Sequence, residues 1–77
     1  MSVKYDKRAD ALYVRLGDKP VARTQEFGDG RLVDYAADGS VVGIELYAVS
    51  EGVDLADLPE EHRVRRELEP LEIRVLT

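Results

Sequence analysis

Apolar and polar residues alternate along residues 31–48 on both sides of a turn signal, and this pattern predicts a β-hairpin. The turn is placed at Asp38-Gly39, because glycine adopts a positive φ without a Cβ clash and aspartate can bond the backbone of its own turn. The apolar positions of the two arms then share one face of the sheet, which is the predicted core face. They are Val33, Tyr35, Val42, Ile44 and Leu46.

The length of the loop decides which side chains face the core. A two-residue loop pairs Ala37 with Ser40, Tyr35 with Val42, Val33 with Ile44, and Arg31 with Leu46. A four-residue loop keeps this parity, whereas a three-residue loop with a bulge would turn Leu32 and Asp34 towards the core. The even parity is favoured because it leaves Asp34 unburied. It puts the candidate interaction residues on the opposite face, namely Leu32, Asp34, Val41, Glu45 and Tyr47.

Three further strands are predicted before this hairpin. Val3 and Tyr5 belong to a short first strand. Residues 11–16 alternate, with Leu12, Val14 and Leu16 on one face and Tyr13 and Arg15 on the other. Residues 21–27 are polar on both faces, which is typical of an edge strand.

After residue 48 the period of the pattern becomes helical. Asp54 is expected to cap a single turn, and a helix is predicted over residues 59–68, with Pro59 as its first residue and Pro70 after its end. Residues 71–76 alternate again, so they form a candidate sixth strand that adds to an edge of this sheet or of a partner's sheet.

These elements predict an α+β fold in one domain, residues 1–77. The links between the strands are two to five residues long, whereas a parallel crossover needs about a dozen or more. The chain is therefore expected to form an antiparallel β-meander of about five strands, followed by a short C-terminal helix and the candidate sixth strand.

Composition narrows the range of functions. The 77 residues include 16 acidic and 11 basic side chains, a net charge of −5, which argues against a nucleic-acid footprint. There is no cysteine, the first residues are polar, and no apolar run approaches the roughly 18 residues that a membrane span needs. A cytoplasmic protein is expected. A core of this size gives a small free energy of unfolding. Burial of further surface against a partner is therefore expected, most simply in a homodimer.

Few residues suggest catalysis or ligation. His62 is the only histidine. With no cysteine and no second histidine in the chain, it has no partner for a nucleophilic dyad or for an imidazole-rich metal site. Asp6 and Asp10 flank a turn, which favours turn capping over metal ligation, because a calcium loop supplies five or more oxygens. No catalytic, cofactor-binding or metal-binding residue is therefore assigned, and no cofactor is expected.

Asp34 and Glu45 share the face opposite the core in the favoured register. Paired carboxylates can perform acid-base chemistry, although a polar or interface-lining surface is the favoured interpretation. Gly43 lies opposite Asp34, and a glycine within a strand usually marks the close approach of another group. The helix, a second subunit and Tyr13 are the candidates for that group.

Two blocks of the chain resemble a family. They are Tyr5-Asp6 followed by Asp10-Ala11-Leu12-Tyr13-Val14 and Leu16, and then Val33-Asp34-Tyr35, Asp38-Gly39 and Val42-Gly43-Ile44-Glu45-Leu46. This pattern is similar to the domain-of-unknown-function family 2283 (DUF 2283) of small prokaryotic proteins, over about residues 3–49. The resemblance implies an antiparallel sheet followed by a helix, with no assigned activity and no catalytic residue to carry over. The C-terminal helix and tail, residues 50–77, extend beyond the family's short ending.

Three functions follow as hypotheses. The favoured one is a noncatalytic protein-protein interaction module that forms a homodimer or docks on another small protein. Its acidity would suit a basic partner, as in an antitoxin. The first alternative is a small acid-base hydrolase that uses Asp34 and Glu45 with Asp6 or Asp10. The second is a small-ligand-binding domain, which would need a concave apolar pocket.

Overall fold

A computed structural model describes residues 2–76 and contains one antiparallel sheet of five strands. The strands are β1 (Ser2–Asp6), β2 (Ala11–Arg15), β3 (Arg23–Gly28), β4 (Arg31–Tyr35) and β5 (Val41–Tyr47). A 3₁₀ turn (Val49–Glu51), one helix, α1 (Glu61–Leu68), and a second 3₁₀ turn (Glu69–Leu71) follow. The predicted fold class, an antiparallel α+β arrangement with a short C-terminal helix, is confirmed. Within residues 2–76, no helix has the length and apolar character needed to cross a membrane.

The strand order across the sheet is β1-β2-β5-β4-β3. Consecutive strands are therefore neighbours, except that β2 pairs with β5 and the chain crosses to the far edge before it begins β3. The Val42 carbonyl accepts hydrogen bonds from the amides of both Leu16 and Gly17, where the chain leaves β2. The hairpin of β4 and β5 thus lies within the sheet, and β3 is an edge strand, as predicted.

The β4–β5 hairpin keeps the predicted faces but reaches them differently. The Ala36 amide donates to Ser40, and Gly39 has a φ of 90°, so the loop has three residues rather than the predicted two. Tyr35 pairs with Val41 instead of Val42, and Val42 is the extra residue of a bulge. This bulge cancels the one-residue shift of the loop, because each changes the register by one. The predicted pairs Val33–Ile44 and Arg31–Leu46 are confirmed.

The turn of this hairpin is fixed by Asp38. Its carboxylate accepts hydrogen bonds from the amide and hydroxyl of Ser40 and from the ammonium group of Lys19. The bonds from Lys19 and Ser40 hold the pKa of Asp38 well below its usual range. The carboxylate therefore stays ionised at neutral pH, and it keeps the short loop in one conformation.

The core lies between one face of the sheet and the chain that follows β5. The strands, with Leu16 directly after β2, contribute Leu12, Val14, Leu16, Val33, Ile44 and Leu46, and the later segment contributes Val49, Val53, Leu55, Leu58, Val64 and Leu68. All are almost fully buried. Residues 48–68 thus supply as much of this cluster as the sheet region before them, so the sheet and the C-terminal segment share one core.

The helix begins later than the sequence predicts. Pro59 lies in a turn, Glu60 has a left-handed φ of 59°, and α1 starts at Glu61. The single capped turn predicted before it is a tight turn in which Asp54 accepts the amide of Ala56. The left-handed Asp57, with a φ of 70°, follows. Asp57 and Glu60 have left-handed backbone conformations, which a continuous helix cannot contain. Leu58, which lies between them, is buried in the core.

The candidate sixth strand does not form among the described residues. Residues 69–71 make a 3₁₀ turn, and Glu72 adopts a left-handed φ of 56°. The tail instead forms an isolated parallel bridge between Val75 and Val53, held by two backbone hydrogen bonds of 2.8 Å. The alternating apolar residues Ile73 and Val75 pack against the core cluster, and Val75 also forms this bridge.

Candidate functional site

The face of the sheet opposite the core, which we call the open face, has no second layer among residues 2–76. Strand pairing places thirteen side-chain positions on it: Ser2, Lys4 and Asp6 on β1; Ala11, Tyr13 and Arg15 on β2; Gly43, Glu45 and Tyr47 on β5; Leu32 and Asp34 on β4; Thr24 and Glu26 on β3. Most are polar or charged. This face is the largest unpartnered surface of the sheet, and it holds four of the five predicted interaction residues.

Tyr13 crosses the open face diagonally. Its direct neighbour on β5 is Glu45, yet its ring extends over Gly43, where an added Cβ would lie 2.0 Å from the phenolic oxygen and 2.4 Å from Cζ. Only glycine leaves room for this ring. Of the three groups that the sequence offers for close approach to Gly43, Tyr13 is the one that occupies the space.

The Asp34 carboxylate receives two side-chain hydroxyl groups. The Tyr13 hydroxyl donates to Oδ2 at 3.0 Å, and the Thr24 hydroxyl donates to Oδ1 at 2.6 Å. Three strands, β2, β4 and β3, are thereby connected through one carboxylate. Because both oxygens accept, Asp34 is held in a fixed position and is not left as a solvated side chain.

Glu45 has a separate partner. The Tyr47 hydroxyl donates to Glu45 Oε1 at 2.7 Å, from two residues further along β5 on the same face. Sequence reasoning placed Asp34 and Glu45 on one face, and the structure agrees. It also gives them separate hydroxyl donors, two for Asp34 and one for Glu45, so no donor is shared between the two carboxylates.

Both tyrosines of the site have raised pKa values. Burial is the main cause that raises the pKa of Tyr13, followed by its hydrogen bond to Asp34 and the negative charges of Asp34 and Glu45. The hydrogen bond to Glu45 raises the pKa of Tyr47. At neutral pH both phenols therefore keep their protons, and they act as hydrogen-bond donors to the carboxylates rather than as bases or nucleophiles.

Val41 is the exception among the predicted interaction residues. It packs against the core cluster instead of lying on the open face. The bulge at Val42 is the reason, because it reverses the alternation at the end of β5. Leu32 is half-buried on the open face, and Tyr47 is 45% exposed.

Of the two turn aspartates, Asp6 has the predicted capping role, whereas the carboxylate of Asp10 makes a long-range contact instead. Asp6 Oδ1 accepts the amides of Arg8 and Ala9, within the turn between β1 and β2. The carboxylate of Asp10, which has a left-handed φ of 52°, accepts both the amide and the hydroxyl of Ser50 at 2.9 and 2.6 Å. Asp10 thus fastens the start of β2 to the exit of β5, and both carboxylates are used by the fold.

Sequence reasoning missed the role of Arg31. Its guanidinium, in a residue only 9% exposed, donates to the carbonyls of Phe27, Gly28, Asp54 and Ala56 at 2.7 to 3.3 Å. The signal was present, because Arg31 alternates with Val33 on the core face. Phe27 and Gly28 lie nearby at the end of β3, but Asp54 and Ala56 lie 23 and 25 residues further along the chain, so no local pattern could identify the full set.

The described surface has shallow, open clefts. Four of them have volumes of about 180 to 300 Å³, and one of about 280 Å³ lies on the open face beside Lys4, Tyr13 and Glu45. Within residues 2–76, no three histidine, aspartate or glutamate side chains come together in a way that could hold a metal ion.

Comparison with known proteins agrees with this fold. The family model described as a protein of unknown function (DUF2283) matches residues 2–50, which is more than half of the chain. No curated protein and no solved structure matches the chain. The matched segment contains all five strands. It also contains Asp6 and Asp10 with the residues that donate hydrogen bonds to their carboxylates. The chain therefore belongs to the DUF2283 family, as its two sequence blocks predict.

Proposed function

We propose that this protein is a noncatalytic interaction module that docks another protein surface on its open face. The observation that carries the proposal is the fixed position of polar side chains on a sheet face that no other described element covers. Tyr13 and Thr24 hold Asp34, and Tyr47 holds Glu45. Groups that are already positioned lose less conformational entropy when a partner binds, so such a face suits docking.

The same geometry supports docking over the two alternatives from the sequence. An acid-base hydrolase needs carboxylates that converge on one reacting group, within hydrogen-bond reach of it. Here Asp34 and Glu45 have separate donors, and Asp6 and Asp10 bond the backbone of their own turns or of Ser50. A ligand-binding domain typically encloses a pocket of roughly 300 to 1,000 Å³, and the clefts here are shallow and open.

Site-specific cross-linking tests this proposal. A photoreactive amino acid replaces Ser2, which is exposed at the margin of the open face, and in a matched control it replaces Arg66, which is exposed on α1. Both variants are irradiated in the native cells. The proposal expects an adduct of defined mass from position 2 and none from position 66. Equal adducts from both positions, or no adduct from either, would overturn it.

A further inference from the structure

The charged side chains of the open face are separated by sign across the sheet. The basic residues Lys4 and Arg15 lie on β1 and β2, whereas the acidic residues Asp34 and Glu26 lie on β4 and β3. Asp6 also belongs to β1, but it lies at the end of the strand and its carboxylate accepts amides of the following turn. The face therefore has a basic half and an acidic half, with β5 between them.

The strand register arranges these residues in two rows that cross the sheet. One row contains Lys4, Tyr13, Glu45, Leu32 and Glu26, and the next contains Ser2, Arg15, Gly43, Asp34 and Thr24. In both rows the basic side chain lies on one side of β5 and an acidic side chain lies at the equivalent distance on the other side. Such a surface is complementary to itself after a half-turn about β5.

We infer that the partner of the open face is a second copy of this chain, packed face to face with a twofold axis parallel to β5. The inference rests on the proposed docking function. This axis stacks β1 over the partner's β3 and β2 over the partner's β4. Lys4 then faces the partner's Glu26, and Arg15 faces the partner's Asp34. An axis perpendicular to the strands would instead stack β1 on β1 and bring like charges together.

The side chains of the outer charge pair in this packing are accessible, and Arg15 of the inner pair is exposed while Asp34 is half-buried. Lys4 and Glu26 are exposed, and neither makes a side-chain hydrogen bond or ion pair with any residue in 2–76. Facing sheets pack about 10 Å apart, a distance that a lysine and a glutamate can span together. Tyr13 would face the partner's Leu32, which adds an apolar contact near the centre. Complementary charge sets the orientation of an interface more than its strength, so the dimer is expected to be weak and specific.

Packing about this axis also creates one unfavourable contact, and that contact provides a test of the axis. Glu45 lies on β5, so it approaches the partner's Glu45, and like charges opposite each other are destabilising. Glu45→Gln should therefore strengthen self-association. If the open face instead bound a basic protein, the same substitution would weaken binding, because it removes a negative charge from the interface.

Sedimentation equilibrium with charge reversal tests the pairing. Lys4→Glu and Glu26→Lys are each expected to raise the dimer dissociation constant roughly tenfold, because each contact occurs twice in the dimer. The double variant should restore the constant to near its original value, since the two charges are exchanged. Arg66→Glu on α1 is the matched control, and it should change little. Failure of the double variant to restore association would overturn the proposed axis.

The failure of this inference can be distinguished from the failure of the docking function. A chain that remains monomeric at every concentration, together with a cross-link from position 2 to a different protein, would overturn the second-copy inference and leave the docking function supported. A cross-linked product of twice the chain mass supports both. The absence of any adduct from position 2 would overturn both.

Discussion

The ring of Tyr13 lies over Gly43, so close that a methyl group at residue 43 would be 2.0 Å from the tyrosine hydroxyl. Because Gly43 on β5 has no side chain, the Tyr13 side chain on β2 can cross this strand. Its hydroxyl group then reaches Asp34 on β4. A residue without a side chain and a residue with a long one act here as a single unit.

Gly43→Ala should lower the unfolding free energy by about 1 to 2 kcal/mol, because the tyrosine must leave its place and its hydrogen bond. Gly43 has no positive φ, so the alanine itself is not strained. The measurement is urea unfolding in a double-mutant cycle with Tyr13→Ala. In the Tyr13→Ala background the alanine at 43 should cost nothing. A loss that persists in that background would show that the glycine is needed for another reason.

Tyr13 should also produce a loss of stability at alkaline pH. Its pKa in the folded chain is raised, so folded protein keeps the proton after unfolded protein, with a tyrosine pKa of about 10, has lost it. The contribution is fully present below about pH 10 and falls as pH rises from there through the folded pKa. Unfolding free energies measured from about pH 9 to 11 should fall more steeply for the natural chain than for Tyr13→Phe. Parallel curves would contradict this assignment.

Arg31→Met should lower the unfolding free energy by about 3 to 5 kcal/mol, because it removes four hydrogen bonds from a charged donor to carbonyls at the end of β3 and in the turn before α1. Arg31→Lys should be intermediate, since an ammonium group lacks the planar fork that reaches both segments. Thermal and denaturant unfolding measure the change. Arg66→Met, at an exposed helix position, is the control and should cost about 0.5 kcal/mol or less. Equal costs at both positions would refute the role of Arg31.

Asp10→Ala should destabilise the chain by about 1 to 3 kcal/mol, because it removes both acceptors of Ser50 and places alanine at a left-handed φ. Asp10→Asn should cost less than half as much, since asparagine tolerates this conformation and keeps one oxygen. The exposed Asp18→Ala serves as the control. Amide exchange at Ser50 measures the clamp directly. Unchanged protection of that amide in Asp10→Ala would contradict the clamp.

The sequence by itself determined the five strands and the faces of the central ones. Alternation is a local property, so Leu12, Val14, Val33 and Ile44 could be assigned to one face without knowledge of the other strands. The turn glycine at 39 and the capping role of Asp6 were likewise predictable, because their chemistry acts on backbone groups nearby. The family resemblance depends on these same residues.

The strand order, the bulge and the contacts between distant residues depended on tertiary structure, because local sequence patterns do not determine which strands pair. Pairing of β2 with β5 brings Tyr13 beside Gly43 and within reach of Asp34, which is 21 residues away along the chain. The three-residue loop and the bulge at Val42 cancel each other, so the predicted faces of the central pairs are retained although the predicted loop length was wrong, and Val41 lies on the core side instead of the open face. The tail alternates like a strand, yet it pairs with Val53 and not with a sheet edge, because in this position its apolar Ile73 and Val75 pack against the core cluster.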